Sequence, residues 1–246
     1  MPRIPSLLDL ALPATCAGCR REGAPICVDC HPALEVRWDR PAGAPIGLPV
    51  ELPAPLVQLE WVAPFTGTVR MALHALKYAG ERRMAQPLGR AAAERWRRAG
   101  AGGDLLVPVP VHAERARLRG YDQAMLLAEV IGRDLDVPTA SLLERHRRTV
   151  AQFDLDRADR GANVAGAFRL KAAAGRAAVG DQRGPAAPDE RGPTTLSTPG
   201  GPDLTGRWVV LIDDVTTTGA TLAACARVLM AAGALAVSGL TVARER

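Results

Sequence analysis

Two adjacent acidic residues at the end of an apolar segment are the side chains in this sequence best suited to chemistry. Asp213 and Asp214 follow the apolar run 208–212 and precede a run of threonines with one glycine. Two neighbouring carboxylates can accept hydrogen bonds from a pair of vicinal hydroxyl groups, such as those of a ribose. The apolar run predicts a strand that ends at residue 212, and open α/β sheets bind ligands at the carboxyl ends of their strands.

The loop after the acidic pair, residues 216–221, has the composition of an anion site. Small hydroxylated residues and one glycine lead into an Ala/Leu-rich segment that predicts a helix. Backbone N–H groups at a helix start are unpaired and the helix dipole is positive there, so the turn suits a phosphate. It is not a Walker A loop, because no lysine follows the glycine. The alternative is an ordinary strand–turn–helix in which Asp and Thr serve as turn and cap residues. The predicted phosphate contacts come from Thr217, Thr218, Gly219 and Thr221.

Four of the five cysteines form two Cys-x2-Cys pairs near the start of the chain. This spacing is typical of a tetrahedral zinc site, and four thiolates leave no open position, so we expect a structural rather than a catalytic ion. The alternative is a pair of disulfides in a secreted protein. The predicted ligands are Cys16, Cys19, Cys27 and Cys30.

Composition predicts a globular protein of one medium domain plus an appendage. The 246 residues are 48% hydrophobic and 23% charged, with a formal net charge of +5 that suits phosphorylated ligands or nucleic acid. No apolar run approaches the roughly 20 residues that span a bilayer. Asp9 and two prolines interrupt the apolar start of the chain, so we expect no secretory signal and a cytoplasmic location.

The order of elements predicts an α/β fold with a mostly parallel sheet flanked by helices. We divide the chain into a zinc-ribbon segment at 1–38, a Pro/Ala/Gly-rich linker at 39–55 and a main domain at 56–246. Residues 172–206 carry three Gly-Pro pairs and almost no apolar bulk, which predicts a disordered insertion. The predicted strands are 56–65, 104–109, 167–170, 208–212 and 235–242, and the predicted helices are 66–78, 81–98, 121–135 and 218–232.

The acidic pair and the loop after it resemble the signature of type I phosphoribosyltransferases. That resemblance implies binding of 5-phosphoribosyl 1-pyrophosphate (PRPP). Thr216 departs from the pattern, since many members carry an aliphatic residue there. Hypoxanthine-guanine phosphoribosyltransferases have an Asp at the position of Thr217, and threonine cannot act as an acid or base near neutral pH. The difference argues against salvage of 6-oxopurines.

The rest of the chain resembles the ComF family of competence-associated proteins, which carry an N-terminal zinc finger and a phosphoribosyltransferase-like domain. The segments that carry this resemblance are the cysteine pairs and residues 106–110, 119–124 and 145–149. Members take part in DNA uptake. The family favours Asn where this chain has Asp122, and a carboxylate there would weaken anion binding or recruit Mg²⁺.

The resemblance implies a phosphoribosyl transfer to an unknown acceptor with release of pyrophosphate. Asp213 and Asp214 would be the catalytic pair, and Mg²⁺ would accompany PRPP. Arg115 and Arg119 could neutralise the leaving group. Lys77 resembles a family segment, but a lysine at a helix end is more often a solvated charge. Thr149 and Gln152 could belong to a mobile cover.

The second hypothesis is a nucleic-acid-binding competence factor that uses the PRPP site for sensing. Its partner would be single-stranded DNA or the DNA-uptake machinery. Aromatic residues make up only 4% of the chain. They do not alternate with basic residues along the sequence, as a base-stacking platform would favour.

Overall fold

The computed structural model describes residues 14–43, 52–100, 102–111, 117–146, 166–171 and 202–245. The predicted insertion lies mainly outside these ranges, as does the middle of the predicted linker. Arg115, Thr149 and Gln152 also lie outside the described residues.

A parallel sheet of four strands forms the centre of the described protein. The strands are β1 (Gln58–Pro64), β2 (Leu105–Pro108), β5 (Trp208–Thr216) and β6 (Ala236–Arg244), in the spatial order β1-β6-β5-β2. All three neighbouring pairs are parallel. The fold class predicted from the sequence, α/β with a mostly parallel sheet and flanking helices, is therefore confirmed.

A short antiparallel ribbon accompanies the sheet. It consists of β3 (Leu143–Arg145) and β4 (Phe168–Leu170). The sequence predicted β4 but not β3, because three residues are too few to show an alternating pattern.

Within the described ranges, four α-helices pack on the sheet: α1 (Gly67–Tyr78), α2 (Ala85–Arg98), α3 (Gln123–Leu135) and α4 (Ala220–Ala231). Successive side chains in a strand point to opposite faces of the sheet, so alternate strand residues belong to two different hydrophobic cores. Val210 and Ile212 share one core with residues of α1, α2 and α3. Val209 and Leu211 share the other core with residues of α4 and the ribbon. The predicted helices all exist, although α2 begins at Ala85, after a 3-10 turn at Arg82–Met84.

The cysteine-containing segment packs directly against the main domain. Ile26 and Leu34 lie in the same core as Leu73 and Leu76 of α1. Gly18 fits so closely that an added Cβ would lie 2.6 Å from Cys30 Sγ and 2.8 Å from Thr68 Oγ1. The segment therefore touches the first turn of α1, although the division of the chain into domains stays a prediction.

A buried cluster of charged residues also joins this segment to the sheet. The Glu60 carboxylate on β1 accepts hydrogen bonds from Arg95 of α2 at 2.7 and 3.0 Å and from Arg37 at 3.4 Å. Both Glu60 and Arg95 are fully buried. Arg95 also donates to the backbone oxygens of Arg37, Arg40 and Pro41. Buried charges are tolerated only when they are paired in this way.

No helix among the described residues has the length and apolar character needed to cross a membrane.

Candidate functional site

The acidic pair lies inside strand β5 rather than after it. The sequence predicted a strand end at residue 212, but β5 continues to Thr216 because β6 keeps pairing with it there. On the other side, the β2–β5 ladder ends where Pro108 pairs with Ile212. Asp213 and Asp214 therefore occupy the part of β5 that extends beyond β2, at the carboxyl end of the sheet, where α/β folds bind ligands.

Lys77 supplies the counter-charge of Asp214. Its ammonium group, at the C-terminal end of α1, lies 2.8 Å from Asp214 Oδ2, and only 18% of the lysine side chain is exposed. Burial lowers the pKa of Lys77, but the Asp214 charge and the hydrogen bond to it outweigh burial, so the pKa is raised overall. The expectation of a solvated helix-end lysine was wrong.

Asp213 is the acidic residue whose charge the site favours least. Burial raises its pKa well above the ordinary value, and the neighbouring Asp214 charge raises it further. The backbone N–H of Asp214 donates to Asp213 Oδ1 at 2.8 Å and, like the Lys77 charge, acts in the opposite direction. The site thus concentrates negative charge where a bound cation or hydroxyl donors would relieve it.

Asp122 caps helix α3. Its carboxylate accepts hydrogen bonds from the backbone N–H groups of Ala124 and Met125 at 2.9 and 3.2 Å. Asp and Asn are both favoured at this position, so the departure from the family pattern preserves a cap. Burial raises the pKa of Asp122, and the Asp214 charge adds to that effect against the backbone donors.

Gln123 and Arg119 extend the hydrogen bonds of Asp214 towards the loop before α3. Gln123 Nε2 lies 3.3 Å from Asp214 Oδ2, and Arg119 Nη1 donates to Gln123 Oε1 at 2.9 Å. Arg119 therefore reaches the acidic pair through Gln123 rather than directly. Gln123 was not among the site residues predicted from the sequence, although it lies only four residues after Arg119.

The predicted phosphate loop connects β5 to α4. Gly219 has a left-handed backbone with φ of 79°, and an added Cβ would lie 2.9 Å from Pro53 Cγ. Thr218 Oγ1 accepts from the Ala220 N–H at 3.4 Å, and α4 begins at Ala220 without a side-chain cap. Thr217, Thr218 and Thr221 are half-buried, which leaves their hydroxyl groups partly accessible. The loop thus leads directly into the start of a helix, where backbone N–H groups lack partners within the helix.

Thr216, by contrast, is a buried residue of β5 and is 4% exposed. Its burial explains why an aliphatic residue also suits this position.

The four cysteines of the two pairs converge on one point. Their sulfur atoms all lie within 4.8 Å of one another, and all four are free thiols. The backbone N–H of Cys27 donates to Cys16 Sγ at 3.3 Å. Burial raises the pKa of Cys16, but backbone donors at Cys19, Cys27 and Gly18 outweigh it and lower the pKa to about 6. This donor set fits a metal ion such as zinc.

Bacterial proteins with similar sequences align with much of this chain. No family model matches it. DNA utilization protein YhgH of Salmonella typhi is 26% identical over 235 residues, which cover 91% of this chain and 86% of that protein. The protein of the same name in Escherichia coli K12 is 28% identical, covering 78% and 74%. Competence protein F of Haemophilus influenzae is 31% identical, covering 53% of this chain and 45% of that protein. The resemblance to the ComF family is confirmed.

A solved structure offers only a distant likeness to this ComF-like chain. Purine phosphoribosyltransferase from Pyrococcus horikoshii aligns with a TM-score of 0.32 and 15% identity, over 62% of this chain and 67% of that chain. A likeness of this size carries no argument about function.

Proposed function

We propose that this ComF-like protein binds PRPP and transfers its phosphoribosyl group to an acceptor, with release of pyrophosphate. The observation that carries the proposal is that the acidic pair lies in the last part of β5 and the threonine loop follows β5 directly, both at the carboxyl end of the sheet. In this proposal Asp213 and Asp214 bind the ribose hydroxyls, while Thr217, Thr218, Gly219 and Thr221 bind the 5-phosphate.

Loss of pyrophosphate leaves positive charge on the ribose ring, as in glycoside chemistry. Asp213 and Asp214 lie where they could stabilise that charge, and Lys77 holds Asp214 in place. Arg119 and Arg115 are the proposed neutralising groups for the leaving pyrophosphate. Mg²⁺ would screen the pyrophosphate charge, and the carboxylates of this region are the hard oxygen ligands that it prefers.

The cysteine cluster is proposed to hold one structural zinc ion through Cys16, Cys19, Cys27 and Cys30. All four positions of a tetrahedral ion would then be filled by protein, so the site supplies stability and no open position for chemistry. Thiolates kept free for a metal also suit a reducing compartment, which supports a cytoplasmic location. Metal analysis should find about one zinc per chain, and Cys19→Ser should release it, whereas Cys225→Ala should not.

Calorimetry with PRPP and Mg²⁺ tests the ligand. Asp213→Ala and Thr218→Val each remove a hydrogen-bonding group from the proposed site and should weaken binding by about 1–3 kcal/mol. Cys225→Ala changes a buried residue of α4 that is not one of the proposed ligand-binding groups, so this variant should bind like the wild type. Failure of the wild type to bind PRPP would refute the proposal. Pyrophosphate release stimulated by one compound of an acceptor panel would then establish transfer.

A second candidate is a DNA-handling role in which PRPP is sensed rather than consumed. The names of the relatives, DNA utilization protein and Competence protein F, favour it. This candidate expects tight PRPP binding without turnover, together with affinity for single-stranded DNA that falls steeply with salt.

A further inference from the structure

Three aromatic rings and one guanidinium group form a continuous row beside the candidate site. The rings of Phe65 and His74 are stacked, with centroids 6.2 Å apart and an interplanar angle of 26°. His74 and Tyr78 follow at 5.3 Å and 53°. The guanidinium of Arg119 lies 5.1 Å from the centre of the Tyr78 ring. We call these four side chains the aromatic row.

The fold assembles this row from three separate segments. His74 and Tyr78 are four residues apart on α1 and so share one side of the helix. Phe65 lies between β1 and α1, and Arg119 precedes α3. Only Arg119 is far from the other three along the sequence, so its position over Tyr78 depends on the fold.

The core accounts for Phe65, which is half-buried and packs against it, but not for the exposed rings of His74 and Tyr78. The core side of α1 is formed by other residues, among them Val69, Leu73 and Leu76. His74 is exposed, and 70% of the Tyr78 surface is exposed. A large aromatic ring held in solvent between two flat neighbours offers a surface on which another planar group can stack.

The charges around the row suit a polyanion. Arg70 is exposed and lies one helical turn before His74, on the same side of α1. Arg119 ends the row, and Arg82 lies nearby over the Tyr121 ring and donates to Gly120 O. Of the acidic residues at this end, Glu81 is paired with Arg83 at 2.7 and 2.9 Å and Asp214 is paired with Lys77 at 2.8 Å.

We propose that the aromatic row binds single-stranded nucleic acid, with bases stacked on His74 and Tyr78 and phosphates bound by Arg70 and Arg119. Single strands are bound by this combination of stacking rings and basic groups, and the stacking tolerates any base. A free nucleobase can stack on only one or two planar groups, whereas the row has several in series, so the row fits a nucleic-acid strand better. The inference rests on the second candidate function and gives its partner a location.

The row ends beside the acidic pair. Arg119, its last member, donates to Gln123, and Gln123 in turn reaches Asp214. A strand bound on the row therefore lies next to the residues proposed to bind ribose.

Fluorescence anisotropy with a labelled oligothymidylate of about 20 nucleotides tests the row, since one binding site covers fewer nucleotides than that. Tyr78→Ala removes one stacking surface and should weaken binding about tenfold, whereas Tyr78→Phe keeps the ring and should bind like the wild type. Arg70→Gln should reduce the salt dependence by about one released counterion. Leu235→Ala, equally exposed but at the amino end of β6, is the matched control.

Three results would overturn the inference. If the wild type binds the oligothymidylate but the His74→Ala/Tyr78→Ala variant binds it equally well, DNA binding stands and the row is not its site. An abasic strand that binds as tightly as the oligothymidylate would show that charge alone is recognised. If the wild type does not bind the strand, both the row and the DNA-handling role fail, while PRPP calorimetry still decides the transferase proposal separately.

Discussion

The ion pair between Lys77 and Asp214 could not be predicted from the sequence. The chain has 31 basic residues, and only Lys77 and Lys171 are lysines. A lysine at a helix end is usually solvated, yet Lys77 is paired with Asp214. Its compact ammonium group, unlike the planar guanidinium that the chain uses elsewhere, contacts one carboxylate oxygen as a point charge. The pairing joins distant segments of the chain, so only the fold could reveal it.

The folded protein disfavours the charged form of Asp213, so ionisation of this carboxyl group should lower the free energy of unfolding. Its pKa is raised in the folded state by burial and then by Asp214. The unfolded state therefore releases the proton first, and stability falls as the pH rises through the unfolded value near ~3.9. At pH 7, Asp213→Asn should raise the free energy of unfolding by about 1 kcal/mol, the scale of a buried group's desolvation, and should weaken PRPP binding by about 1–3 kcal/mol.

Urea titrations at several pH values measure the Asp213 effect. The gain from Asp213→Asn should vanish below about pH 4, where the wild-type carboxyl group is protonated in both states. Asp203→Asn is the control, because hydrogen bonds from Thr205 lower the pKa of that exposed residue instead. A gain that stayed constant from pH 3 to pH 7, on the order of 1 kcal/mol, would contradict the linkage argument.

At the scale of elements, helical periodicity predicted the helices, each of which buries one face, and apolar runs predicted the central strands, which are buried on both faces. The end of β5 could not be predicted, since it depends on pairing with β6 beyond residue 212. The acidic pair was correctly expected at the carboxyl end of the sheet, but its place within a strand followed only from that pairing. The aromatic row was likewise not predicted, because the contact of Arg119 with Tyr78 joins segments that are distant in the sequence.

The loop between β5 and α4 should depend on Gly219 for both stability and binding. In Gly219→Ala, the left-handed backbone should cost about 1–2 kcal/mol of stability. The new Cβ would also lie only 2.9 Å from Pro53 Cγ. Because relief of this contact would displace the threonine loop, PRPP affinity should fall together with the free energy of unfolding. Urea denaturation and calorimetry on the same variant measure the two effects.

Gly206→Ala is the control that distinguishes the effect of backbone strain from that of the Cβ contact with Pro53. Its φ of 73° is similar, but no atom lies within 4 Å of an added Cβ. This variant should lose only about 1 kcal/mol and keep its PRPP affinity. Equal losses of affinity in the two variants would show that the loop position does not matter for binding.

At the scale of the whole molecule, the sequence suggested a zinc ribbon, a linker and a main domain that could be considered separately. The convergence of the four cysteines was predictable because their spacing is local. The buried contact of Arg95 with Glu60 and with the backbone of residues 37–41 was not predictable, because three distant segments supply it. Charged residues in a sequence are normally expected on the surface, so nothing marked these as interior.

Arg95 should therefore hold the cysteine-containing segment against the sheet. Arg95→Met keeps the length of the side chain but leaves the buried Glu60 carboxylate without its closest partner, so we expect a loss of about 3–5 kcal/mol in the free energy of unfolding. Hydrogen exchange should also rise at residues 37–41, whose carbonyl groups lose their donor. Arg90→Met, on the exposed side of the same helix, should change either measurement little.

The double variant Glu60→Gln/Arg95→Met separates a lost ion pair from lost packing. If the poorly compensated carboxylate causes the loss, replacing it with a neutral amide, whose oxygen can still accept from Arg37, should recover part of the stability, so that the double variant is more stable than Arg95→Met alone. If packing or the backbone contacts of Arg95 cause the loss, the second change should lower the free energy of unfolding further. A double variant no more stable than the single one, with unchanged exchange at residues 37–41, would mean that Glu60 and Arg95 do not join the segment to the sheet.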